Sequence, residues 1–124
     1  MIGLAVILSV PRAYGKGLEV RKKVSGYEFL INIDRDPPVI GDNPIEIGIM
    51  DANGMAVKDA KVLVNYYMPP MPRMAPMNYT EEAKYSGSAY KMSMHFIMAG
   101  PWVIRVIATH NGQRVAIKIN MDAQ

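Results

Sequence analysis

The chain has 124 residues, 50% of them hydrophobic and 20% charged, with a formal net charge of +3 and no cysteine. That length supports one domain, and the apolar share suffices for a single core. Thiolate catalysis, zinc–thiolate sites and disulfides are excluded. The mild charge, spread along the chain, is not the concentrated basic face of a nucleic-acid binder.

Ile2 to Val10 is an apolar run, too short for a bilayer span of about 20 residues. Pro11 breaks it, and Ala13-Tyr14-Gly15 places small residues at the two positions a signal peptidase reads. The pattern matches the end of a secretory signal cleaved after Gly15, although no Lys or Arg precedes Arg12. The reading is a signal remnant over 1–15, export to a periplasmic or extracellular location, and no stable membrane span after cleavage. The absence of cysteine suits an oxidising compartment. Residues 16–26 read as a linker or a first strand, with Arg21-Lys22-Lys23 as a solvated face.

Strands follow, punctuated by turns. Tyr27 to Asp34 alternates, with Phe29, Ile31 and Ile33 on one face. Arg35-Asp36-Pro37-Pro38 ends it, because adjacent prolines remove ladder donors. Gly41-Asp42-Asn43-Pro44 reads as a turn cluster, and Ile45, Ile47 and Ile49 mark the next half-buried strand. Asn53-Gly54 is a strong turn signal, and its surroundings lack the spaced acids of a calcium loop. Lys61 to Tyr67 is a Val- and Tyr-rich strand, and Tyr79 to Ser86 reads as a short edge strand or a loop.

After Gly87-Ser88, the run Ala89 to Met98 sets Tyr90, Met92, Met94, Phe96 and Met98 on one face and His95 on the other. Trp102, Ile104, Val106 and Ala108 form the core face of a strand from Trp102 to Thr109. His110, read as a solvated turn residue, opens an Asn-Gly hairpin into Val115, Ile117, Ile119 and Met121. No stretch after residue 16 has sustained helical periodicity. The expected fold is therefore all-β, an immunoglobulin-like antiparallel β-sandwich of about seven strands.

Catalytic constellations are missing. His95 and His110 are the available imidazoles, and neither sits in a nucleophile motif. Asp34 with Asp36, and Glu81 with Glu82, read as solvated acids. There is no glycine-rich phosphate loop. The expectation is a binding domain, not an enzyme.

The methionines are distinctive. Of 11, four fall at Met68, Met71, Met74 and Met77, every third residue, among Pro69, Pro70, Pro72 and Pro76. Polyproline II backbone also repeats every three residues, so the four thioethers can share a side. Thioether sulfur is a soft ligand suited to Cu(I). On an ideal polyproline helix, however, i and i+3 side chains sit about 9 Å apart. Two sulfurs on one copper lie about 4 Å apart, taking metal–sulfur bonds near 2.3 Å. The loop must bend, or borrow ligands such as Met98 or His95 from a neighbouring strand. Two other readings stay open: a hydrophobic cover over one end of the sandwich, and an adaptable contact for a partner protein.

Asp59-Ala60-Lys61-Val62, the Met68-Pro69-Pro70-Met71 opening, Gly87-Ser88-Ala89-Tyr90 and the run from Phe96 through Gly100-Pro101-Trp102 to Ile104 together resemble the YtkA-like domain family. The resemblance extends from about Tyr27 to Met121, giving a domain at 27–122. It implies an exported immunoglobulin-like β-sandwich of a kind often associated with heavy-metal or copper handling. The expected partners are metal-transport or envelope proteins. This chain departs from the pattern in having no histidine inside its methionine loop, where Arg73 places a positive charge.

Overall fold

The computed structural model describes residues 17–124. The apolar run and the cleavage point read after Gly15 lie outside the described residues. Eight strands form: β1 (Leu18–Val24), β2 (Tyr27–Ile33), β3 (Gly41–Met50), β4 (Lys61–Tyr67), β5 (Asn78–Ser86), β6 (Ala89–Phe96), β7 (Gly100–His110) and β8 (Gln113–Ala123). Among the described residues there is no helix, hence none long and apolar enough to cross a membrane.

All pairings are antiparallel, in the order β1-β2-β3-β6-β5-β4-β7-β8. β5 joins two layers. Its Lys84–Ser86 end pairs with β6, and its Asn78–Ala83 part pairs with β4. The sheet thus folds back on itself as a sandwich with a shared strand. The all-β antiparallel expectation holds, with eight strands in place of about seven.

Alternation builds the core as the sequence suggests. Phe29, Ile31 and Ile33 from β2 meet Ile45, Ile47 and Ile49 from β3, and the opposite layer contributes Val62, Val64, Ile104, Val106, Ile117 and Ile119, all under a tenth exposed. Each fully buried aliphatic side chain of this size contributes about 1.5–3 kcal/mol relative to exposure. Met94 is buried, and Met92 is half-buried against the same core.

Residues 18–24 form a strand, one of the two readings of that segment. Two details differ from the sequence reading. β3 begins at Gly41, so the segment read as a turn is strand. Pro44 is tolerated there because regular pairing with β2 stops at Ile33–Ile45, and the Pro44 carbonyl simply accepts from the Asp34 N–H at 3.0 Å. β5 is neither a loop nor an edge strand but sits mid-order between β6 and β4. Its polar run Thr80-Glu81-Glu82 stays exposed in the part paired with β4, just before the strand changes partner between Ala83 and Lys84, which is why its alternation is hard to read.

The register also sorts the loops into two ends. Tyr67 pairs with Val103, Gly41 with Phe96, and Gly100 with Ala123. The methionine loop therefore shares one end with the 34–40 connection and the 97–99 turn. Turns at 25–26, 87–88 and 111–112 and the 51–60 connection occupy the other.

Candidate functional site

The Met-Pro segment connects β4 to β5 and is pinned at its neck. The Met68 N–H donates to the Met77 carbonyl at 3.1 Å. At its tip the Met74 N–H donates to the Met71 carbonyl at 3.2 Å, across Pro72 and Arg73, and Arg73 has φ 68°. Proline at the second position and positive φ at the third are the pattern of a type II turn. Such a turn holds its outer Cα atoms within about 7 Å, closer than the spacing of a polyproline helix. The chain itself therefore bends between Met71 and Met74.

The result is a concavity of about 320 Å³, lined by all four methionines, by prolines of the same loop, and by Tyr67 and Asn78 at its base. No carboxylate, lysine, arginine or histidine is in that lining. The four thioethers differ in depth. Met68 is 5% exposed and belongs to the core, Met71 and Met77 are half-buried against it, and Met74 is 38% exposed. Met68 is seated by a glycine, since a Cβ on Gly100 would come within 2.8 Å of its Cε atom. Gly100 also has φ 127°, backbone that L side chains rarely adopt.

The core at this end is aromatic. Phe96 stacks on Trp102 with centroids 4.8 Å apart, and Tyr66 and Tyr79 complete the group. Trp102 Nε1 donates to the Met98 carbonyl at 3.0 Å, which fixes the 97–99 turn. Met98 itself is half-buried against the core and does not line the concavity. Neither does His95, whose Nδ1 lies 2.9 Å from Asp42 Oδ1 on an exposed strand face. The structure thus brings together Met68, Met71, Met74 and Met77 and leaves Met98 and His95 outside the lining. Among the described residues no group of three or more His, Asp or Glu could hold a metal ion, so thioethers are the soft donors this end offers.

The sequence model of the YtkA-like family matches residues 21–107. The chain belongs to the YtkA-like family. The matched span contains the methionine loop, Gly100 and Trp102, and stops before β8, so it begins and ends somewhat earlier than the resemblance read from residues 27–121. Among solved structures, this YtkA-like chain is similar to the soluble domain of PmoD from Methylocystis sp. ATCC 49242 (Rockwell). The TM-score is 0.56 at 12% identity, covering 84% of this chain and 96% of that one. At that identity the likeness establishes the fold alone. No curated protein matches the chain at a significant level.

The far end of the YtkA-like domain holds polar groups that sequence reasoning missed. His110 is not a solvated turn residue: its side chain is 18% exposed. Its Nδ1 lies 2.9 Å from the Tyr27 hydroxyl and its Nε2 3.0 Å from Asp59 Oδ1, linking β2, β7 and the 51–60 connection. The buried Tyr90 hydroxyl donates to the Val57 carbonyl at 2.7 Å and accepts from the Ala60 N–H at 3.0 Å. Burial holds its pKa above the ordinary phenol value, partly offset by the Ala60 N–H. Tyr66 is raised likewise by burial, offset by the His95 N–H donating to its hydroxyl. Partners 83 and 30 residues apart leave no local signal in the sequence.

Proposed function

We propose that this YtkA-like domain is an exported, non-enzymatic binding protein that holds copper, as Cu(I), weakly or transiently through Met68, Met71, Met74 and Met77. The observation that carries this reading is the grouping of four methionines in the lining of one concavity without a charged side chain among them. Thioethers favour soft Cu(I) and stay unprotonated at any pH. The metal handling implied by the family, the apolar start of the chain and the absence of cysteine favour the same reading. Copper here is cargo, and no catalytic step is assigned to it.

The test is titration with Cu(I) against a competing chelator, for the wild type and for a variant with all four loop methionines replaced by Leu. The wild type should take copper from the chelator and the variant should not. Retained binding in the variant, or none in the wild type, rejects the reading. Leucine keeps most of the apolar bulk, so the fold should survive.

A second reading rests on exposure. Ile40, Met74 and Ile97 are 53%, 38% and 50% exposed at this same end, a set of apolar residues suited to contact with an envelope or transporter protein. An interface of that kind should tolerate the leucine variant, which separates the two readings.

A further inference from the structure

The outward faces of the two layers carry charge differently. On the face formed by β1, β2, β3 and β6, cations meet acids across strands. Lys23 stands opposite Glu28 and Lys91 opposite Glu46, while Arg21 reaches both Glu19 and Glu28 at 3.4 Å. The outward face of β4, β7 and β8 is built otherwise. Its register sets Lys61, Thr109 and Arg114 in one row, Leu63, Ile107 and Ala116 in the next, and Asn65, Arg105 and Lys118 in the third. Four of these nine positions are cations and none is an acid. The flanking acids on this face are Glu82, opposite Leu63 and paired with Lys84 at 3.3 Å, and Asp122, roughly 13 Å along the strand from Lys118.

The arrangement also breaks a pairing rule. Arg105 stands directly opposite Lys118, and like charges so placed destabilise a sheet. Arg105 has Asn65 on its other side, and Lys118 lies on the last strand of the order. Neither has an acid opposite it, unlike Lys91, which meets Lys84 on one side and Glu46 on the other. A local rule broken without a gain inside the fold marks a functional surface. The shape says what kind. The middle row is recessed, with Ile107 7% exposed, so the longer Lys and Arg side chains reach past it. Cations spread over one sheet face suit a flat anionic plane, which needs neither a shaped pocket nor fixed acceptor positions. A single-stranded nucleic acid would call for stacking aromatics, and the three rows contain none.

We propose that the outward face of β4, β7 and β8 docks this domain on an anionic lipid surface through Lys61, Arg105, Arg114 and Lys118. The inference is independent of copper, because the methionine loop lies beyond the Tyr67–Val103 pair at the end of these strands. Docking by this face lays the strands along the lipid surface and leaves the concavity at one end of the docked layer.

Cosedimentation with vesicles tests this, using equal parts phosphatidylglycerol and phosphatidylcholine against phosphatidylcholine alone. The wild type should partition onto the anionic vesicles, and rising salt should release it. Each cation near such a surface contributes about fivefold in partitioning. Arg114→Gln with Lys118→Gln should therefore weaken it about 25-fold. Lys23→Gln with Lys91→Gln removes the same net charge from the other face and should cost less than about threefold. All four side chains are exposed, so both variants should fold, which their urea midpoints check. Equal losses in the two variants overturn the inference, as does equal partitioning of the wild type onto both kinds of vesicle. Tighter binding of a duplex oligonucleotide or of polyglutamate than of the anionic vesicles overturns the assignment to lipid.

Discussion

The two ends of the sandwich handle polar and soft groups in opposite ways. At the far end, both ring nitrogens of His110 are occupied, by Tyr27 and Asp59, and the Tyr90 hydroxyl is used both as donor and as acceptor. Those groups serve one another and stitch the two layers together. At the methionine end the backbone is pinned, yet the lining presents thioethers around open space and no polar side chain that already binds them. A residue type that looks functional, histidine, is committed to structure here. Methionine, which usually fills core gaps, is the residue that lines open space here. Under the proposed copper reading, availability for binding follows from unused valence, not from residue identity.

The strongest way to break that comparison is to remove the floor of the methionine end. Trp102→Ala deletes the stacking partner of Phe96 and Tyr79 and the donor to the Met98 carbonyl. Truncating a buried aromatic of this size costs about 3–5 kcal/mol. Urea unfolding should report a loss of that order. A cost below about 1 kcal/mol would mean that the aromatic group does not support the loop.

A smaller effect is expected at the far end from Tyr90→Phe. It orphans the Val57 carbonyl and the Ala60 N–H, and a buried group left unpaired costs about 1–3 kcal/mol. Amide exchange in the 51–60 connection should quicken, while Cu(I) binding at the opposite end stays unchanged. Altered copper affinity would show that the two ends are coupled. Alkaline titration probes the same bond. Tyr66 and Tyr90 both have folded pKa values raised above the unfolded phenol. Their contribution is therefore complete below about pH 10 and is lost as pH climbs through the raised values, because the unfolded chain gives up those protons more readily. Stability should fall above that pH, and less steeply in Tyr90→Phe.

The layers of this fold were legible because two-residue alternation and Asn-Gly turns are local signals, and β4 has the same bounds in sequence and structure. β5 was not, since a strand that changes layers exposes Glu81 on the parity that should be buried. The four loop methionines could be singled out by their period alone, but their shared concavity could not. It depends on the turn at Arg73, where the sequence shows no glycine or asparagine to announce positive φ. His110 was misread because its neighbours in sequence are turn residues, while its partners lie on other elements.

The smallest expected effect sharpens the comparison most. Arg73→Gly relieves a left-handed arginine, a conformation costing an L residue roughly 1–2 kcal/mol, while the added freedom of glycine in the unfolded chain returns part of that gain. The net expectation is stabilisation by about 0.5–1 kcal/mol, read as a higher urea midpoint at unchanged slope. Substitutions that free polar groups at the far end should only weaken the fold. At the methionine end this one substitution should strengthen it. If Arg73→Gly destabilises the protein, its side chain has a structural role in the folded state that outweighs the strain at φ 68°.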